Sequence, residues 1–482
     1  MAKKKQARKT GLRSAKKLAR KLARKPAGSS RPAAPATATA KKTPGIVVEA
    51  LCVGDEILLG ELVDTNMGHV ARELWRDGFL VRHKQVVGDR LADVAAAFRL
   101  ALSRSNVIIV TGGLGPTDDD LTREGLAEVL KRKIHVDDKA LAHMAVLWKR
   151  PVESITPINR RQAHMIEGAE TLLNDWGAAC GMHLTHGKAH IFLMPGVPRE
   201  MKGMLEHRVQ PILRKLYGRP GHGSRTLVMV SGIPESRIGE LIRKVAPQFP
   251  LLTFGTRVND GECAVRIDGF LHDPTPAAVK ALEKDAAAAR KEIRRLMSFH
   301  VYGEGDLSIG QAVVDFATKH KFVLGTAESC TTGLVSSRIG EIAGASNMYD
   351  GGLISYANVA KTSLGGVPEA LIEKHGAVSP EVVRAMAEGA RALAERLRPS
   401  VGTGAASRAI GIGISGVAGP HGGTADKPVG LVYIGIASAL GSVAIKTQNR
   451  GDRAAVRSRA ASRALFEALL EMRRLAAGES KA

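Results

Sequence analysis

From Gly45 onward, short apolar runs alternate with amphipathic helical stripes, and this alternation sets the fold class before any motif is considered. Ile46–Val53 is an apolar run of strand length. Asp64 then precedes Met67, Val70, Ala71 and Leu74, the i, i+3, i+4, i+7 spacing of one helix face, closed by Gly78. Asn106–Thr111 and His190–Met194 are further buried-strand runs. Strands that alternate with helices in this way assemble into a mostly parallel sheet with helices over its faces. The chain is therefore expected to be α/β. A second unit begins near Arg225, with a strand, a helix after Ser236, the strand ECAVRIDG and a helix from Thr275 to about Met297. A third begins near Gly305, where Ser308 and Gln311 form a capping box.

At about 150 residues per domain, 482 residues suggest roughly three domains. The boundaries expected are a tail at 1–44, then 45–222, a small α+β unit at 223–302, and 303–478. The charge is equally uneven. Residues 1–42 hold 15 of the 70 Lys and Arg and no acid, so the remaining 440 residues carry only +8 of the net +23. The basic signal belongs to a tail, which reads as disordered because it cannot bury enough apolar surface. A solvated tail is the favoured reading, and contact with nucleic acid or another anionic surface is open to it. A short basic amphipathic helix around Leu18 and Leu22 and a presequence are alternative readings. Four dispersed cysteines, without a C-x-x-C pair, argue against a disulfide scaffold or structural zinc. No run reaches the ~20 apolar residues of a transmembrane helix, and a cytoplasmic location is expected.

Two constellations carry chemistry. In the first, the strand NVIIVT runs into Gly112-Gly113-Leu114-Gly115-Pro116-Thr117-Asp118-Asp119-Asp120. Glycines let a backbone approach an anion closely, and Thr117 with Asp120 reads as a capping box at a helix start, where free amides attract phosphate. Three carboxylates beside a phosphate call for a divalent cation, with Asp119 and Asp120 as oxygen ligands. A tight turn before a capped helix explains the same residues equally well.

In the second, Ser329 sits where a strand turns into a helix, beside amides that could stabilise an oxyanion. Serine is a weak nucleophile without a base. Lys361 follows in Ser355-Tyr356-Ala357-Asn358-Val359-Ala360-Lys361, and a partly buried lysine can serve as that base. Spacing alone is also satisfied by a capping serine and a solvated lysine. Arg453 and Arg457, four apart near a helix start, suit a phosphomonoester or, as readily, an exposed charged pair beside Asp452.

The segments Gly54-Asp55-Glu56, Asp64-Thr65-Asn66, GGLGPTDDDLT and Pro195-Gly196-Val197-Pro198-Arg199-Glu200 resemble the N-terminal half of the competence/damage-inducible protein A (CinA) family. The resemblance implies a molybdopterin-binding-like three-layer fold, with Glu56, Asn66, Gly112, Gly113, Gly115 and Thr117 at its ligand. It further implies molybdopterin-type binding or metal-dependent hydrolysis of ADP-ribose. Where that family has Gly-Thr-Ala-Pro-Gly, this chain reads Gly177-Ala178-Ala179-Cys180-Gly181.

TAESCTTGLVSSRIG, GGLISY, Ser415-Gly416-Val417-Ala418-Gly419-Pro420 and Gly451-Asp452-Arg453 resemble the family's C-terminal domain, a nicotinamide-nucleotide (NMN) amidohydrolase. What this implies is an α/β amidohydrolase domain in which Ser329 is the nucleophile, Lys361 its base and Tyr356 a relay or orienting group. Ser415, Gly416, Gly419 and Arg453 would hold the nucleotide substrate, no cofactor would be needed, and a homodimer is expected. The family's Cys-Thr-Gly-Gly is here Cys330-Thr331-Thr332-Gly333. The competing expectations are a non-catalytic ligand-binding or regulatory protein and a nucleic-acid-associated protein resting on the tail alone.

Overall fold

The computed structural model describes residues 45–259, 261–404 and 407–479, so the expectations for the basic tail lie outside the described residues. The apolar runs become strands: β1 (Val48–Val53), β2 (Val81–Val87) and β3 (Val107–Thr111). A short antiparallel pair follows, β4 (Ile134–Val136) with β5 (His164–Ile166), and then β6 (Glu170–Leu172), β7 (Gly181–His186) and β8 (Ala189–Met194). The first large sheet has the order β2-β1-β3-β8-β7-β6, parallel through β8 and antiparallel beyond it. β1 and β3 are buried at every position, as strands covered on both faces must be. Helix Asn66–Arg76 starts where its sequence predicts, because Asp64 Oδ1 accepts the amide of Met67 at 2.9 Å.

The middle sheet contains β9 (Gly221–Ser231), β10 (Leu252–Asn259), β11 (Glu262–His272) and β12 (Val301–Glu304), in the order β10-β11-β9-β12. β10 is a strand the sequence did not announce. Helices Glu235–Val245 and Pro276–Met297 supply the apolar side chains that cover this sheet. In the last sheet, β13 (Val323–Glu328) lies between β14 (Tyr349–Ile354) and β15 (Ala409–Gly416), both parallel to it. β16 (Leu431–Ser438) and β17 (Gly441–Gln448) extend it as antiparallel strands. Ahead of it, Ser308 caps helix Ile309–His320 by accepting the Gln311 amide at 3.1 Å. The Gln311 side chain turns instead to Asp315, at 2.7 Å, so only half of the expected capping box forms. Helix Arg453–Glu479 closes the chain. Among the described residues, no helix is long and apolar enough to cross a membrane.

Strand order places two crevices. From β1 the chain passes to β2 on one side and later to β3 on the other; from β13 it passes to β14 and then to β15 in the same way. Loops leaving the carboxyl ends of such a strand pair diverge, which opens a binding crevice between them.

Candidate functional site

At the first divergence, β1 and β3 run into a cleft of about 770 Å³ lined by Glu56, Asn66, Thr111, Gly112 to Thr117, Asp119, Asp120 and Glu200. All six N-terminal ligand residues expected from the sequence therefore meet in one place. Gly112 has φ +97°, and a β-carbon there would lie 2.1 Å from the Val53 carbonyl oxygen, so only glycine lets the two strand ends approach. Asn66 donates to the Gly196 carbonyl at 2.6 Å, while its buried Oδ1 and the buried Thr111 hydroxyl have no protein partner. Unpartnered buried polar atoms beside a cleft are suited to a ligand's polar groups.

The loop itself departs from expectation. Its helix begins at Thr122, not Thr117. Asp120 reaches back, accepting Gly115 N at 2.6 Å, Thr117 N at 2.9 Å and the Thr117 hydroxyl at 2.5 Å. The Thr117–Asp120 pair thus staples a loop and caps no helix. Those bonds occupy both oxygens of a carboxylate expected to bind a cation. Asp118 faces away, paired with Arg161 at 2.6 Å. Among the described residues, no three His, Cys, Asp or Glu side chains converge as a metal-ligand set. At the altered stretch, Gly177 lies directly against the Glu200 carboxylate, and Asn174 donates to Glu200 at 2.6 Å. Burial pushes the Glu200 pKa upward, with Asn174 and Arg199 opposing the shift.

At the second divergence, β13 runs into Ser329, which is anchored by its amide to Ile414 O of β15 at 2.9 Å. Ser355, just past β14, is tied to Glu328 O at 2.8 Å. Lys361, only 1% exposed, points its ammonium at the carbonyls of Ser355 and Tyr356, both at 2.9 Å. Those bonds hold the lysine under the end of β14, one strand away from the buried Ser329. Lys361 also lies near enough to Cys330 for each to feel the other's charge. Burial lowers the Lys361 pKa, with Cys330 opposing, and raises the Cys330 thiol to about 12. A lysine of lowered pKa can exist unprotonated and accept a proton, whereas this thiol stays inert.

The remaining expected residues are only partly brought together. Arg453 donates to the Gly419 carbonyl at 2.9 Å and to the Tyr356 hydroxyl at 3.2 Å, which joins three of them directly. Gly416 packs its backbone against Leu431 and Val432. Ser415 is buried and donates to Ala377 O at 2.7 Å, so its proton goes to the neighbouring loop.

Two features were not legible. Glu328 fills the start of helix Leu334–Gly340, accepting Val335 N at 3.1 Å, Ser336 N at 2.9 Å and the Ser336 hydroxyl at 2.7 Å. The helix amides expected to be free for an oxyanion are therefore taken. The amides of Cys330 and Thr331, nearer Ser329, donate to no backbone carbonyl among the described residues. Second, Arg457 does not sit as an exposed partner of Arg453. It donates to Thr331 O and the Thr332 hydroxyl, clamping the turn that carries Ser329.

Residues 306–472 match the family described as CinA C-terminal domain, and residues 49–215 match the "Probable molybdopterin binding domain" family. A CinA-like protein of Gemmatimonas aurantiaca is 39% identical over 427 residues, 87% of this chain and 94% of its own. One from Desulfosudis oleivorans is 37% identical, covering 84% of this chain and 95% of its own. Among solved structures, the protein CinA from Thermoplasma acidophilum, described as of unknown function, is 33% identical with a TM-score of 0.33. It spans 35% of this chain and 98% of its own.

Proposed function

The chain belongs to the CinA family, and from that premise we propose that its C-terminal domain hydrolyses the carboxamide of nicotinamide mononucleotide. One observation carries the reading: a strand-end serine and a lysine of lowered pKa lie buried at one sheet divergence, and Tyr356, whose carbonyl holds that lysine, bonds Arg453 through its hydroxyl. Ser329 Oγ attacks the carboxamide carbon while its proton passes to Lys361 Nζ. The tetrahedral intermediate collapses, the C–N bond breaks, and the amine takes that proton to leave as ammonia. Water then attacks the acyl-serine, giving the nicotinate nucleotide and restoring the hydroxyl. The amides of Cys330 and Thr331 are the donors available to the developing oxyanion. Arg453, at the start of its helix, suits the 5′-phosphate, and its bond to Tyr356 orients that ring at the entrance. The test is ammonia release from NMN by the purified protein and its Ser329→Ala variant. Turnover by the wild type, abolished in the variant with an unchanged fold, supports the reading; near wild-type turnover in the variant removes Ser329 from the mechanism.

For the N-terminal domain, the same reading assigns ligand binding in preference to metal-dependent hydrolysis. The engaged Asp120 and the lack of a three-ligand metal set among the described residues favour it. A phosphate-bearing ligand such as ADP-ribose would be held by the loop amides that Asp120 leaves open and by the free atoms of Asn66 and Thr111. Magnesium alone should leave the melting temperature unchanged and ADP-ribose should raise it; chelator-sensitive turnover of ADP-ribose would overturn the assignment.

A further inference from the structure

The middle sheet approaches the amidase domain at one buried polar point. Gly261, φ +91°, puts the turn before β11 against the backbone of helix Arg453–Glu479, where an added β-carbon would meet Arg459 Cα at 3.2 Å. The next residue, Glu262, accepts the Tyr302 hydroxyl at 2.7 Å and the Ile309 amide at 3.0 Å on one oxygen. Its other oxygen accepts the hydroxyl of the fully buried Ser462 at 3.2 Å. Ser462 Oγ in turn accepts an N–H of Arg338, whose guanidinium also donates to Ser458 O at 3.1 Å and Ser458 Oγ at 2.5 Å. One hydroxyl therefore stands between a carboxylate, to which it donates, and a guanidinium, from which it accepts.

Arg338 belongs to helix Leu334–Gly340, which leaves the turn bearing Ser329. The same long helix holds that turn through Arg457, one residue before Ser458. The Ser329 turn is thus fixed from two sides by one helix, and one of the two attachments answers to the middle domain.

We propose that Glu262 is a positioning residue for the amidase site, acting through Ser462 and Arg338 on the helix that follows Ser329. This rests on the amidase reading above. A carboxylate at Glu262 holds the Ser462 proton away from Arg338 and keeps that hydroxyl an acceptor; an amide at this place removes the charge and makes the hydroxyl compete for donors. The Arg338 attachment is then weakened to its two bonds with Ser458, while the substrate-contacting groups remain.

The experiment measures kcat and KM for NMN in Glu262→Gln, Ser462→Ala and the double variant, well below their unfolding temperatures. Hydrogen exchange of residues 329–340 is followed in parallel. Each single variant should lower kcat about fivefold with KM nearly unchanged, and the double variant should lose little more than either alone. Ser462→Thr, which keeps the hydroxyl, should recover most of the loss, and exchange at 329–340 should quicken in the two loss variants. Wild-type kcat in both singles, or losses that multiply in the double, would overturn the proposal. If the wild type does not hydrolyse NMN, the amidase reading fails by itself. Faster exchange in Glu262→Gln then still supports the positioning role, and unchanged exchange refutes it.

Discussion

Thr332 holds a left-handed backbone, φ +49°, and its hydroxyl accepts Arg457 Nη2 at 2.5 Å. A β-branched residue is strained in that region and stays there only when its surroundings hold it. Arg457, donating also to Thr331 O at 2.9 Å, supplies that hold. The threonine that stands in place of the family's glycine is thus turned toward the long helix by a specific partner. Arg457→Met should destabilise the protein by about 1–3 kcal/mol, since the strain persists and a carbonyl loses its donor. Urea unfolding measures this, and an unchanged midpoint would show that the turn is held by other contacts.

The buried Lys361 gives the proposed amidase reaction a pH signature. In that mechanism only its unprotonated form accepts the Ser329 proton, and burial lowers its pKa below the ordinary value of 10.5. NMN turnover should therefore be suppressed at low pH and rise as pH climbs through a midpoint below 10.5. Lys361→Arg, which stays charged across that range, should be inactive throughout. A flat profile between neutrality and pH 10 would assign the base elsewhere.

The proposed phosphate role of Arg453 makes binding separable from chemistry. On that reading Arg453→Ala should raise KM for NMN roughly tenfold and leave kcat within about threefold. Nicotinamide riboside, which lacks the phosphate, should not distinguish the variant from wild type. An equal loss on both substrates would mean that Arg453 serves Tyr356 or the fold and not the phosphate.

The N-terminal loop should tolerate little change. Gly113 has φ +63°, and a β-carbon there would lie 2.2 Å from the Thr122 hydroxyl, which bonds Gly112 O. Gly113→Ala should cost about 1–3 kcal/mol and abolish the ADP-ribose thermal shift while sparing NMN turnover. Loss of both activities would show that the two crevices are not independent.

What the sequence disclosed and what it withheld divide along contact range. Ser308 announced its helix because a cap bonds an amide three residues away, and Asp64 did the same for Met67. The sequence shows the Thr117–Asp120 pair as bonded but not what the bond does, because Asp120 also reaches the Gly115 amide behind it. β10 went unseen because its alternation is broken and its partner, β11, is what makes it a strand. Arg457 stood undecided for a plainer reason: its partners lie about 125 residues earlier, and helix spacing says nothing about that contact. Ser415 lay at the expected strand end, but the loop carbonyl that takes its proton belongs to Ala377, 38 residues away.

The expected border near residue 303 has a practical consequence. Met229 and Ala264 of the middle sheet share one apolar cluster with Tyr302, Leu465, Phe466 and Leu469, and Gly232 sits against the Phe466 ring. A fragment begun at that border would bring Phe466 and its neighbours into water as a sticky face. An expression fragment of the C-terminal half should accordingly either retain β9 to β12 or replace Phe466 with a polar residue.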